Sequence, residues 1–351
     1  MGYWHSSKFV LRHQTLEIGG MRTIMKEKIP FVLKPAAQDY LWGGTKLNDD
    51  FNLGIDINPF AEAWVCSTHP DGPSTLEDGR PLTEILREHP EYLGTHPLET
   101  MGGKPELPIL IKLIDAKQDL SVQVHPDDEY AFANENGSLG KTEMWYVLDA
   151  KPGAKLVYGF SHDVTEAQVR RGIETGKIEK HLNHVKIFKN DLFYIEAGTV
   201  HAIGAGALIA EIQESSNLTY RFYDYNRVDK DGNKRPLHID KALKVANLKA
   251  SSKPRQPMRV LKYENGRASE LLTRCKYFQV ERWLLNTEGR QMPGFRTEEN
   301  SFHALIVIDG CGVLYGDDFS LNFFKGDCIF IPASSENMKL HGKAQILNVS
   351  C

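Results

Sequence analysis

Short apolar runs, each the length of one β-strand and each closed by Gly, Pro or Asp, recur along most of this chain. Ile109–Ile114, Leu120–Val124, Met144–Leu148, Lys155–Tyr158, Val185–Phe188, Leu192–Ile195, Ala207–Gln213 and Thr219–Tyr225 are of this kind. Runs this short, spaced by turn residues, build sandwiches or barrels. Helices are expected over Leu82–His89 after Pro81, Asp127–Glu135 after Pro126, Thr165–His181 with Thr165 as N-cap, and His238–Leu248. At 351 residues the chain is long enough for more than one core.

The stretch Lys249–Met258 is polar, carries two prolines and has no periodicity, which marks a linker. Across it runs a weak internal repeat. Lys189-Asn190-Asp191-Leu192-Phe193-Tyr194-Ile195-Glu196-Ala197-Gly198-Thr199-Val200-His201 lies over Lys325-Gly326-Asp327-Cys328-Ile329-Phe330-Ile331-Pro332-Ala333-Ser334-Ser335-Glu336-Asn337. A turn, a four-residue apolar strand and a small-residue loop match in order, the pattern of cupins, which are small double-sheet jelly rolls. The fold expected is mainly β: two cupin-like jelly-roll sandwich units with a few helices. Residues 25–250 would form a catalytic unit, and residues 259–351 a C-terminal one without metal ligands, since Asn337 replaces the terminal histidine. Residues 1–24 read as an extension that need not be native.

A formal net charge of −4 gives no case for nucleic acid, and no apolar run is long enough to span a bilayer. Five scattered cysteines, with no Cys-x-x-Cys pair, indicate neither a disulfide framework nor a thiolate zinc site. The first two dozen residues lack a secretory apolar core. A cytoplasmic setting is expected.

The chemistry is written into Asp119-Leu120-Ser121-Val122-Gln123-Val124-His125-Pro126. In a strand, Leu120, Val122 and Val124 share one face and Ser121, Gln123 and His125 the other. A buried face of hydroxyl, amide and imidazole needs a partner, and a cavity holding a metal ion, a polar substrate or both supplies one. Neutral imidazole suits zinc, copper, iron or nickel, with carboxylate or amide oxygens completing the shell. Glu143 enters an apolar strand two residues after Lys141, and both could face that cavity. His201 follows Ala197-Gly198, small residues that allow a turn back toward the interior. Glu211 lies within an apolar strand and Arg221 within an aromatic one. They could pair with each other, or Arg221 could bind an anionic oxygen in the cavity. Glu62, between small and aromatic residues, is a further candidate.

Taken in order, Tyr40-Leu41-Trp42-Gly43-Gly44, Phe60–Trp64, Leu120–Asp128, Gly140–Tyr146, Ala197–Ala202 and Tyr220–Tyr225 resemble the class I mannose-6-phosphate isomerases (phosphomannose isomerases), in their short bacterial form. The resemblance runs from about Ile29 to Leu248 and more loosely beyond. It implies an aldose–ketose isomerase that interconverts mannose 6-phosphate and fructose 6-phosphate by zinc-assisted proton transfer through a cis-enediol. One zinc ion per chain would be held by Gln123, His125, Glu143 and His201. It also implies Arg221 as the active-site arginine, with Ser121, Lys141, Glu62 and Glu211 near the sugar or its phosphate. Candidate proton carriers are a zinc-bound water, Glu211 and Lys141. Thr142 stands where some longer relatives have proline, and the large helical insertion of the long forms is absent. Two alternatives follow from the cupin pattern alone: a metal-dependent oxygenase, disfavoured because Gln123 replaces a first histidine, or a sugar-phosphate-binding protein without catalysis.

Overall fold

The computed structural model describes residues 28–228, 231–251, 260–289 and 291–351. The extension over residues 1–24 and most of the linker lie outside these. The described chain is mainly β, with six α-helices, and every pair of neighbouring strands is antiparallel.

Three sheets carry it. A six-stranded sheet runs in the order Ala36–Gln38, Glu62–Cys66, Ile109–Ala116, Ala207–Glu214, Glu143–Ala150, Leu192–Ile195. A five-stranded sheet runs Tyr220–Tyr223, Val122–Val124, His201–Ile203, Lys155–Phe160, Leu182–Lys186. Residues from both fill one apolar layer: Ile114, Trp145 and Phe193 from the first pack with Leu156 and Ile203 from the second. Burying side chains of this size contributes about 1.5–3 kcal/mol each. The long strands His303–Tyr315 and Met338–Ser350 anchor the nine-stranded C-terminal sheet. The strand Phe31–Leu33 crosses over to join it, pairing with Cys328–Ile331. A continuous core, including Leu33, Ala63, Ile111, Phe302 and Phe330, lies across the two parts.

The internal repeat is a repeat of structure. Phe188 N donates to Asp191 Oδ2 at 2.9 Å, and Phe324 N donates to Asp327 Oδ2 at 2.8 Å. Each aspartate side chain closes a turn whose left-handed residue is Asn190 (φ 72°) in one copy and Gly326 (φ 101°) in the other. The strands Leu192–Ile195 and Cys328–Ile331 follow.

Two expectations need correction. The helix after Thr165 is capped as expected, by a reciprocal box with Gln168, but covers only Glu166–Glu174. Gly176 (φ 66°) ends it, and a 3-10 turn at Ile178–Lys180 follows. The polar strand is shorter than its alternation implied, Val122–Val124. Val122 and Val124 pack together against Phe160 and Tyr220, while Leu120, ahead of the strand, packs in the other layer and borders the cavity described next.

Candidate active site and metal centre

Strand register builds the site from two rows. Across the five-stranded sheet, Arg221 pairs with Gln123 and Gln123 with His201. Across the six-stranded sheet the row is Trp64, Lys112, Glu211, Trp145. Glu62 and Glu143 stand two residues from the ends of that row, hence on its face.

His125, Glu143 and His201 are wholly buried, and their ligating atoms lie within 4.8 Å of one another. His125 Nε2 is 3.2 Å from Glu143 Oε1, and His201 Nε2 is 3.8 Å from Glu143 Oε2. His201 Nδ1 donates to the Thr199 carbonyl at 2.8 Å, which leaves the Nε2 lone pair directed at the cluster. The turn before it is tied to the other histidine: Gly198, at φ 85°, donates its N–H to the His125 carbonyl at 2.8 Å. Gln123 Nε2 lies 3.4 Å from His201 Nε2. Lys141 Nζ is 2.6 Å from Glu143 Oε1 and 3.4 Å from His125 Nε2.

The donor set fits a divalent cation. Glu143 Oε1 is answered by the Lys141 ammonium, but Oε2 is buried without a hydrogen-bond partner and faces the His201 Nε2 lone pair, an arrangement that a cation between them would satisfy. Burial and the Lys141 charge push His125 down to about 3, and burial pushes His201 down. Against burial, Lys141 and His125 hold Glu143 well below the usual carboxylate range. Two neutral imidazoles and one carboxylate are the protonation states that metal binding requires.

Beside this cluster lies a cavity of about 290 Å³, whose lining includes Gln123 and Lys141 together with Ser121, Arg221, Glu62 and Glu211. A larger hollow of about 480 Å³ beside Lys117, Lys151 and Lys155 contains none of the metal-ligating side chains. Glu211 and Arg221 do not pair. Glu211 Oε2 accepts from Trp145 Nε1 at 2.9 Å, and its Oε1 is 3.6 Å from Lys112 Nζ. Arg221 Nε donates to Ser121 Oγ at 3.2 Å and Nη1 to the Pro236 carbonyl at 3.0 Å. Burial, then Glu143, push Glu211 up to about 7, with Lys112 opposing. Glu62 is buried, accepting from Trp64 Nε1 at 2.7 Å and lying 3.5 Å from Lys112 Nζ.

Lys112, Arg235 and Trp42 are among the cavity residues to which the sequence assigns no role. Lys112 is buried at the centre of the carboxylates; burial opposes its charge, but Glu62, Glu211 and Glu143 outweigh it and raise the ammonium above its ordinary value. Its place within Ile109-Leu110-Ile111-Lys112-Leu113-Ile114 was the available signal, since an apolar strand does not take a lysine without a counter-charge. Arg235 also lines the cavity, held by Asp224 through Nε at 2.7 Å and Nη2 at 2.6 Å. Trp42 lines it too, and its only signal in the sequence is its place in the stretch Tyr40–Gly44.

Sheet architecture and site together define a class: a cupin-type enzyme with a candidate metal centre opening on a small, positively lined cavity. Two family models match the chain, phosphomannose isomerase type I, catalytic domain, over residues 31–152, and mannose-6-phosphate isomerase, cupin domain, over 268–351. The mannose-6-phosphate isomerase ManA of Bacillus subtilis is 36% identical over 326 residues, covering 91% of this chain and 98% of the relative. That of Streptococcus mutans is 33% identical over 325 residues, covering 91% and 97%. A crystal structure of the Bacillus subtilis mannose 6-phosphate isomerase superposes with a TM-score of 0.81 at 34% identity, covering 92% of this chain and 99% of that one. A mannose 6-phosphate isomerase bound with zinc and yttrium shares the fold, with a TM-score of 0.70 at 17% identity over 91% of this chain and 98% of that one. The chain belongs to the type I mannose-6-phosphate isomerase family, aldose–ketose isomerases acting on a sugar phosphate. Among the described residues no helix is long and apolar enough to cross a membrane.

Proposed function

We propose that Gln123, His125, Glu143 and His201 hold one zinc ion, and that mannose 6-phosphate is isomerised in the adjoining cavity. The observation that carries this reading is convergence. Three buried donors from segments far apart in sequence meet within 4.8 Å, and Gln123 and Lys141, which lie against them, line the adjoining cavity. Imidazole with carboxylate suits zinc. A half-turn of the Gln123 amide would present its oxygen where its nitrogen now faces His201. Bound there, zinc would act as a Lewis acid toward a sugar oxygen.

The chain's own groups do the rest. Glu211 is the proton carrier: it is buried, faces the cavity and changes charge near neutral pH. It takes the proton from C2; the C–H electron pair becomes the C1–C2 double bond and the aldehyde oxygen takes up charge. Returning the proton to C1 and moving the O2 hydrogen to O1 gives the ketose. Arg221, fixed by Ser121 and Pro236, stabilises the charged oxygen. Burial and the Arg235 charge push the Arg221 guanidinium down from its ordinary value, so the two cations repel across the cavity. A phosphate relieves that repulsion, and Arg235 serves it. Lys141 assists ring opening, and Ser121 and Glu62 meet sugar hydroxyls.

A catalytic unit over 25–250, a C-terminal unit over 259–351 without metal ligands, and a cytoplasmic setting complete the reading. All five cysteines are free, which supports a reducing compartment. A coupled assay supplying mannose 6-phosphate, before and after a chelator and again after zinc is restored, tests it. Activity should vanish and return, with one zinc per chain by elemental analysis. Full turnover in metal-free protein overturns it.

A further inference from the structure

The turn that delivers Lys141 and Glu143 is pinned through three successive amides. Gly140 N donates to Asp128 Oδ1 at 3.1 Å, Lys141 N to the Pro126 carbonyl at 3.0 Å, and Thr142 N to Glu214 Oε1 at 2.7 Å. There is no slack at its start. A Cβ on Gly140 would stand 2.5 Å from the Asp127 carbonyl carbon and the Asp128 nitrogen. Asp128 and Glu214 are themselves hydrogen-bonded to each other.

Most of these partners come from the same half of the chain as the site. Two do not. Tyr277 donates its hydroxyl to Asp128 Oδ2 at 2.8 Å, and Lys276 Nζ reaches the same oxygen at 3.1 Å. Tyr277 is partly buried against the central core, whereas the Lys276 side chain is 73% exposed, so the tyrosine is the fixed contact. Two touching carboxyls share one proton. Burial and the Asp128 charge push Glu214 up to about 8. Against burial, hydrogen bonds from Tyr277, Glu214 and Lys276 hold Asp128 below the usual range. The Asp128 anion thus accepts from Tyr277 on one oxygen and from Gly140 on the other.

We propose that Tyr277, in the C-terminal part of the chain, is a positioning residue for the isomerisation, acting through Asp128 on the Gly140–Thr142 turn to set Lys141 and Glu143. The inference rests on the reading of those two residues as site groups. It gives the C-terminal sheet a task in the reaction although, among the described residues, that sheet contributes no side chain to the metal cluster.

The test is Tyr277→Phe in the full-length, zinc-loaded protein, with Tyr263→Phe, an exposed tyrosine, as control. Zinc affinity by competition with a chromophoric chelator and kcat against KM are read well below the thermal midpoint. Tyr277→Phe should weaken zinc binding and lower kcat, each on the order of tenfold, with KM little changed. Asp128→Asn should do the same, and the double variant should lose no more than the greater single loss. Asp128→Asn serves alone should Tyr277→Phe not fold. Wild-type zinc affinity and kcat in whichever of these variants folds, or additive losses in the double variant, overturn the proposal. The underlying reading fails separately: Lys141→Ala and Glu143→Gln would then keep full turnover.

Discussion

Lys112 stands directly opposite Glu211 on the neighbouring strand, its Nζ 3.6 Å from Glu211 Oε1 and 3.5 Å from Glu62 Oε2. The ammonium also lies 4.8 Å from the centre of the Trp64 ring. This one buried cation balances carboxylates whose joint burial would otherwise be prohibitive.

Lys112→Met should therefore be a severe substitution despite its similar length. It strands Glu62 and Glu211 without the cation between them, and the cost expected is about 3–5 kcal/mol. Glu211 would then hold its proton to higher pH, because Lys112, ahead of Lys141, opposes its upward shift. Denaturant unfolding should show the loss of stability, and the acid limb of the kcat profile should move upward. A variant as stable as the parent, with an unmoved limb, would show that Lys112 does not balance these acids.

Arg221→Ala separates binding of the ion from chemistry. Arg221 touches Ser121 and Pro236, and none of its side-chain hydrogen bonds goes to a candidate metal donor. Bound zinc should be retained while kcat falls by about 10²–10³, the loss typical of removing one stabiliser of a developing oxyanion. Elemental analysis alongside the coupled assay decides it; near-normal turnover would remove Arg221 from the mechanism.

Much of the site is legible in the sequence because polar groups in apolar strands are informative. Glu143, Glu211 and Arg221 stand out as charges in apolar or aromatic strands, Gln123 and His125 as a polar strand face, and His201 through the small-residue turn before it; the structure gathers all six around one cavity and the cluster beside it. Lys112 meets the same criterion, but its partners, Glu62 and Glu211, lie on other strands and no spacing along the chain points to them. The partner of Glu211 was equally invisible: sequence offered Arg221, ten residues on, but register places Lys112 across from it. Arg235 lies in an irregular segment with no periodicity to set its direction. The helix after Thr165 was overextended because apolar spacing continues past Gly176, whose left-handed backbone ends it.

Glu211→Gln tests the proton carrier through pH. The carboxylate is the working base, so kcat should rise with pH through about 7 and then level off. Glutamine cannot ionise; it should abolish that limb and lower kcat by about 10²–10⁴. An unchanged limb in the variant would assign it to another group.

Glu214→Gln should stabilise the protein, and only above mildly acidic pH. Folded Glu214 keeps its proton up to about 8, pressed by burial and by Asp128, with Tyr277, Cys275 and Tyr194 in the same cluster and Lys276 at its edge. An unfolded glutamate releases it near 4.3. Between those values the unfolded state binds fewer protons than the folded one, so stability falls as pH rises. The contribution is complete below the ordinary glutamate range and gone above about 8. Glutamine can still accept from Thr142 N and donate to Asp128, without the ionisation. The thermal midpoint of the variant should therefore match the parent below the ordinary glutamate range, exceed it increasingly toward pH 8, and keep a constant lead beyond. Midpoints measured across that range check it; curves that stay parallel throughout would mean that Glu214 is ionised in the folded protein, and that Asp128 does not share a proton with it.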